Sequence, residues 1–320
     1  MAHEKTALVL GATGGIGGEV ARRLVARGWQ VRALNRNPMQ LAAVARTGLT
    51  WIQGDAMNTG DVVAAADGVS LIVHAVNPPG YRKWSELVLP MLDSSIAAAR
   101  ASGARILLPG TVYNFGPDSF PDVDEAAPQR PVTRKGAIRV EMERRLEAAS
   151  HEGIRSLIVR AGDFFGPRAA NNWFSQGLVK PGRPVASISY PGKPGVGHQW
   201  AYLPDVAETM VRLVERDDQL APFAVFHMEG HWDADGTGMI GAIRRAMAKP
   251  ALKANAFPWW LIALASPVVP LFKEMREMRY LWEVPLRMGN ARLKAVLGEE
   301  PHTPLDEAVR TTLKGLGSLG

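Results

Sequence analysis

The stretch Gly11-Ala12-Thr13-Gly14-Gly15-Ile16-Gly17 decides how the rest of the chain is read. An apolar run at residues 7–10 leads into it and has the character of a buried strand. A helical pattern at residues 15–27 leaves it, with Ile16, Val20, Leu24 and Val25 on one side and Gly28 closing it. Glycines at such a junction meet three physical needs. Gly11 permits the tight turn, Gly14 lets backbone approach a pyrophosphate, and Gly17 lets helix pack on strand. The phosphates of a dinucleotide then sit at the positive end of the helix. Gly11, Thr13, Gly14, Gly15, Ile16 and Gly17 are therefore candidate cofactor ligands.

Outward from this stretch, strand and helix patterns alternate. Strands are expected at residues 30–34, 49–53, 69–74, 105–108 and 154–160. Helices are expected at residues 39–46, 59–66, 84–102 and 133–149. This alternation implies an α/β fold, a doubly wound parallel sheet of the Rossmann kind with helices on both faces. After residue 166 the pattern loosens. Pro181, Pro184, Pro191 and Pro194 mark a long loop region, followed by a helix at 205–216, a strand at 223–228, and helices broken by prolines. The chain thus divides into a dinucleotide-binding domain, residues 1–166, and a mixed region, residues 167–320. The second region completes the sheet and forms a smaller C-terminal substrate cap.

The second strand ends Leu34-Asn35-Arg36, where an NAD enzyme places a carboxylate for the ribose hydroxyls. Arg36 instead suits a 2′-phosphate, which a carboxylate would repel, so NADP(H) is expected over NAD(H). Asp55, followed by Ala56, is placed either to accept a hydrogen bond from the adenine amino group or to cap a turn.

These motifs resemble the extended and atypical short-chain dehydrogenases/reductases, the NAD-dependent epimerase/dehydratase group. The resemblance spans nearly the whole chain. It rests on the glycine stretch, Gly54-Asp55, His74-Ala75-Val76, Val112-Tyr113, the run from Arg160 to Pro167, and the run from Tyr202 to Ala207. It implies that Ala75 also lines the cofactor. The group's Ser-Tyr-Lys set is altered here. Pro109 takes the serine register, with Thr111 a nearby hydroxyl, while Lys135 and Arg139 fall where Tyr and Lys would stand. Lys-x-x-x-Arg is similar to the isoflavone-reductase-like NADPH reductases. That similarity points to Lys135 at the catalytic position; Lys135 is then expected as the proton donor or its electrostatic substitute, Arg139 as a ligand of the nicotinamide ribose, and Thr111 or Tyr113 as the catalytic hydroxyl. Spacing i, i+4 puts Lys135 and Arg139 on one helix face, where the neighbouring cation would lower the lysine pKa. A solvated basic helix face is the alternative reading. His198 stands where a nucleotide-sugar epimerase carries a diphosphate-clamping arginine. Of the aromatics Tyr81, Trp84, Phe115, Trp173, Phe174 and Trp200, several are expected to be core; together they point to an apolar or aromatic small-molecule substrate more than a charged sugar nucleotide.

Composition excludes several classes. There is no cysteine, so no thiolate metal site or cysteine nucleophile, and the histidines form no metal-ligand spacing. The net charge of +6 comes from scattered basic residues with no long run, which argues against nucleic acid. Residues 256–272 are the most apolar tract, too short and proline-broken for a membrane span. They are expected to cap the pocket, with membrane-surface contact as the minor reading. The first residues run straight into a strand without an apolar signal core, so a cytoplasmic protein is expected. A homodimer is left open. Three functions follow: an NADP(H)-dependent reductase or dehydrogenase acting on a small carbonyl, an epimerase or dehydratase, and a non-catalytic NADP(H)-binding regulatory protein.

Overall fold

The computed structural model describes residues 5–39, 48–78, 84–169 and 172–319. The helix expected at 39–46 falls almost wholly outside these residues, as does Tyr81. Seven parallel strands form the central sheet. They are β1 (Thr6–Leu10), β2 (Gln30–Asn35), β3 (Leu49–Gln53), β4 (Leu71–His74), β5 (Arg105–Gly110), β7 (Ser156–Arg160) and β11 (Phe223–His227). Their spatial order is β11-β7-β5-β4-β1-β2-β3. The order reverses between β1 and β4, and a parallel sheet opens its ligand crevice at the carboxyl ends of such a pair.

Strand periodicity builds two cores from one sheet. Ala7, Val9, Leu71, Val73, Leu107, Leu157 and Val159 point to one face. There they meet α1 (Gly15–Ala26) and α5 (Leu203–Val214). Leu8, Leu10, Ile72, Ile106, Leu108 and Ile158 point to the other. There they meet α2 (Thr59–Ala65), α3 (Trp84–Ser102) and α4 (Arg134–Ser150). Alternate residues of a strand face opposite sides, so fully apolar strands are what a sheet covered twice requires. Glu208 of α5 pairs with Arg23 of α1 and with Arg27 just after it, at 3.2 and 2.5 Å, and so ties the two helices of the first face.

The second half departs from the expected pattern. The loop region contains β9 (Ile188–Tyr190). Residues His198–Tyr202 form β10, and α5 starts at Leu203, two residues early, with Pro204 in the first turn where no N–H is needed. The stretch expected as helical also holds short strands. These are β12 (His231–Asp233), β13 (Ala254–Ala256) and β14 (Arg287–Met288). They pair with partners far away in sequence, β12 on β10, β13 on β9, and β14 on β6 (Asp122–Val123). Strands of two or three residues leave no readable periodicity; their pairing comes from tertiary packing.

A third core, with Phe165, Phe174, Trp200, Tyr202, Trp282, Met239 and Leu313, lies beneath the cap. Helices α6 (Thr237–Ala246) and α10 (Leu305–Gly315) build it, with Trp259 of α7 (Trp259–Ala265) packed against it; α9 (Ala291–Leu297) instead joins the first core through Leu293 and Leu297, and α8 is Pro270–Glu277. A fourth cluster joins Val112 and Phe115, just after β5, to Met278, Leu281, Leu286 and Met288. This return of the chain carries α8 back over the sheet. No helix among the described residues is long and apolar enough to cross a membrane.

Candidate active site

A cleft of about 690 Å³ opens at the carboxyl ends of the strands. One end is lined by Gly11, Thr13, Gly14, Gly15, Ile16, Asn35, Arg36, Asp55, Ala56 and Ala75. The other is lined by Thr111, Tyr113, Lys135 and Arg139, with Trp84, Asp163, Trp173, Glu274, Met275 and Met278 among the wall residues. Thirteen of the fourteen residues nominated from sequence therefore line one cleft, and Gly17 does not. Gly17 serves packing. A Cβ there would lie 2.3 Å from the Gly11 carbonyl oxygen and 3.0 Å from the Ala75 Cβ, so only glycine lets α1 sit this close to β1 and β4.

At the phosphate end, α1 begins after Gly14, whose lack of a side chain leaves the helix without a side-chain cap, and no acid occupies the first turn. The first-turn N–H groups therefore point into the cleft end with the positive helix terminus behind them. Arg36 is exposed at this rim. Asp55 lines the wall and also accepts from the Met57 N–H at 3.0 Å, so its turn-capping role is present in the fold.

At the substrate end, Thr133 caps α4 by accepting from the Gly136 N–H at 3.0 Å. Gly136 is itself a close-approach residue, since a Cβ would stand 2.2 Å from the Tyr113 carbonyl oxygen. The first turn of α4 thus presses against the loop after β5, and Lys135 and Tyr113 share a wall. Lys135 is buried, and its Nζ lies 2.8 Å from Glu274 Oε2 on α8. A carboxylate from another element thus stands beside it, a contact that the helix spacing alone does not reveal. Glu277 of the same helix accepts from the Arg134 N–H. Two carboxylates therefore fasten α8 to the start of α4. Arg139 lies over the Trp84 ring at 5.2 Å.

A buried network carries the loop after β5. Asn114 donates to Gln129 Oε1 and Glu143 Oε1, both at 2.8 Å. Glu143 receives Arg160 Nε at 3.1 Å and Arg160 Nη2 at 2.5 Å. Arg160 Nη1 lies 2.9 Å from His227 Nε2. Burial, reinforced by Arg160, pushes the His227 pKa down to about 3, so the ring is neutral and accepts from the guanidinium. His74, at the end of β4, is pushed down to about 3 by burial and then by Arg139.

Some expectations are redirected. Of the six aromatics assigned to the site, Trp84 and Trp173 line the cleft, whereas Phe115, Phe174 and Trp200 are fully buried in the core. His198 does not face the cleft. It bonds Asp163 Oδ2 at 2.9 Å and stacks on Trp282, with ring centroids 3.7 Å apart. Asp205, in the Tyr202–Ala207 run, is structural: it accepts from the Thr303 N–H at 2.7 Å and the Thr303 hydroxyl at 2.8 Å. Glu274, Met275, Met278 and Asp163 were not found from sequence. Asp163 lies in the Arg160–Pro167 run without having been singled out there; the other three belong to no motif, and only the chain's return over β5 brings α8 to the cleft.

A family model described as NAD(P)H-binding matches residues 11–172, just over half of the chain. The chain belongs to this NAD(P)H-binding family. Its fold is that of the epimerase/dehydratase type of short-chain dehydrogenase. It is similar to MoeE5 in complex with UDP-glucose and NAD, at 17% identity and a TM-score of 0.74, covering 97% of this chain and 98% of that one. It is similar to gox2253 at 20% identity and a TM-score of 0.75, covering 99% and 100%. It is also similar to the UDP-glucose 4-epimerase of Bifidobacterium longum in complex with NAD+ and UDP, at 14% identity and a TM-score of 0.73, covering 97% and 98%. No curated protein matches the chain in sequence. The residues present fit an NAD(P)H: the uncapped α1 terminus suits the pyrophosphate, and Gly17 brings that terminus against the sheet.

Proposed function

We propose that the protein is an NADP(H)-dependent oxidoreductase that reduces a small, apolar or aromatic carbonyl compound. In this reading residues 1–166 hold the dinucleotide and residues 167–320 supply the cap. Gly11, Thr13, Gly14, Gly15, Ile16, Asp55, Ala56 and Ala75 would hold the cofactor, with Arg36 on the 2′-phosphate and Arg139 on the nicotinamide ribose. A bound NADPH supplies a hydride to the carbonyl carbon. The chain's own groups then manage charge. The oxygen left as an alkoxide takes a proton from Lys135 Nζ, and Glu274, partly exposed beside it, relays a proton from solvent. Thr111 or Tyr113 donates a hydrogen bond to that oxygen, while Trp173, Met275 and Met278 exclude water.

The observation that carries this reading is the buried Lys135 paired with Glu274 in the same cleft as the glycine stretch. The test is NADPH consumption against a panel of aldehydes and ketones. Turnover of an aromatic or aliphatic member supports the reading; cofactor binding with no turnover of any member favours the regulatory one. An epimerase or dehydratase is the second reading, favoured by neighbours whose structures hold NAD with UDP-glucose or UDP. Those reactions leave the cofactor's redox state unchanged overall, so conversion of a nucleotide sugar without net NADPH loss would select it.

A further inference from the structure

Helix α7 and the turn after it break a rule of surface helices. Such a helix buries one stripe and shows polar residues on the other. Here Trp259, Ile262 and Ser266 face inward. Trp259 donates its indole N–H to the Pro191 carbonyl at 2.8 Å and packs on Trp173. Ile262 and Ser266 are buried. The outward positions are also apolar: Trp260 is 68% exposed, Leu261 43%, Leu264 74% and Val268 81%. The other exposed large apolar residues among those described, Met39, Met57 and Val132, lie in separate parts of the chain. Contiguous exposed apolar surface of this kind marks an interaction site.

We propose that this face docks on the surface of an anionic lipid bilayer. From Lys253 to Lys273 no intervening residue carries a charge, and Lys249, Lys253, Lys273 and Arg276 around the tract are all exposed. The acids that follow it, Glu274 and Glu277, are engaged with α4. The patch is thus apolar and flanked along the chain by exposed cations on both sides, matching acyl chains beneath anionic headgroups. Trp260 suits the boundary between the two. At seven residues, α7 lies on the bilayer rather than across it. A second copy of the chain is a poorer occupant, because a two-fold contact here would bring two sets of the same cations together with no acid of the tract to pair with them. The patch is linked to the cleft: Trp259 packs on Trp173, and α8, which follows, supplies Glu274, Met275 and Met278 to its wall. Docking would hold that wall near a source of lipid-soluble molecules. It does not depend on which reaction the cleft performs.

The experiment is co-flotation of the whole protein with vesicles of equal parts phosphatidylglycerol and phosphatidylcholine, against pure phosphatidylcholine, at low and high salt. The protein is expected to float with the anionic vesicles and to be partly released by salt. The Trp260→Ser/Leu264→Ser double variant is expected to bind at least about tenfold less, since it removes the insertable side chains. Both residues are exposed, so its melting temperature and NADPH binding should match the parent. Lys253→Glu/Lys273→Glu should weaken anionic binding and leave melting unchanged. No flotation of the parent at low salt overturns the proposal. So does equal flotation of the serine variant, which would make the binding mere charge attraction. A parent that is dimeric in light scattering, with a monomeric serine variant, assigns the face to a second copy instead.

Discussion

At one end of the cleft, Gly11 to Ile16, Arg36, Asp55 and Ala75 arrive from the carboxyl ends of four neighbouring strands, all within the first quarter of the chain. At the other, Lys135 meets Glu274, and Tyr113 meets Gly136 and Met278, from elements far apart in sequence. The first end is made mostly of backbone: a helix terminus and close-packed glycines. The second is made of side chains whose chemistry depends on partners that the fold delivers. A backbone site imposes residue types at fixed spacing, and a side-chain site imposes only that partners arrive. Substitutions at the two ends should therefore fail differently.

The largest effect is expected at the backbone end. Gly17→Val must push α1 away from Gly11 and Ala75, because even a Cβ has 2.3 Å of room. Overpacking of this kind costs about 1–3 kcal/mol or more, and the phosphate-binding terminus moves with the helix. A lower melting temperature together with no measurable cofactor binding is expected by calorimetry. A variant that binds NADPH normally would break the claim that backbone approach builds this end.

Next in size is an acid transition originating under the substrate end. The folded pKa values of His74 and His227 are about 3, below the ordinary 6.5. Above pH 6.5 both rings are neutral in either state and their contribution is fully present. As pH falls below 6.5 the unfolded chain binds protons that the folded one refuses, so stability drops until about pH 3. Each histidine contributes a slope of about 1.4 kcal/mol per pH unit in that window. Thermal melting between pH 7 and 4 should show the decline, and His227→Gln should flatten it. An unchanged slope in that variant would remove His227 as a cause.

Lys135→Met comes third. It keeps the length of the side chain and removes the proton and the partner of Glu274. Turnover of any substrate found should fall about 100-fold while NADPH affinity stays near that of the parent. Near-normal turnover would shift the proton-donor role to Tyr113. A matching loss of NADPH affinity would show that the two ends are not separable.

The sequence made the two ends unequally legible. Strand and helix periodicities in residues 6–160 are long, and the glycine spacing sits at a strand–helix junction, so the sheet, its direction and the NAD(P)H-binding family were readable. Lys135 and Arg139 were readable as positions on a helix face. The carboxylate opposite Lys135 was not, because Glu274 sits in an eight-residue helix with no pattern tying it to residue 135. The partner of His198 was hidden for a related reason: its bond to Asp163 depends on the pairing of β8 (Asp163–Phe165) with β10, which strands this short do not announce. Phe115, Phe174 and Trp200 show the same limit, since an aromatic near a site in sequence packs as readily beneath it as into it.

The smallest predicted effect tests the phosphate end with a side chain instead of backbone. Arg36 is exposed, at the end of the strand whose Asn35 replaces the carboxylate expected for NAD. Its pairing with a 2′-phosphate would be charge-assisted but open to water and salt, which limits it to about 1 kcal/mol, or roughly fivefold in affinity. Arg36→Glu removes that attraction and sets a like charge against the phosphate. It should therefore weaken NADPH by at least this factor and leave NADH unchanged or slightly improved. Because the pair is solvent-exposed, the difference should shrink as salt rises past a few tenths molar, where screening reaches within about 5 Å. Calorimetric titration of parent and variant with both cofactors, at two salt concentrations, gives four ratios. Equal NADPH and NADH affinity in the parent would break the assignment of Arg36. A parent preference for NADPH that survives Arg36→Glu would move the 2′-phosphate contact to another residue of the rim.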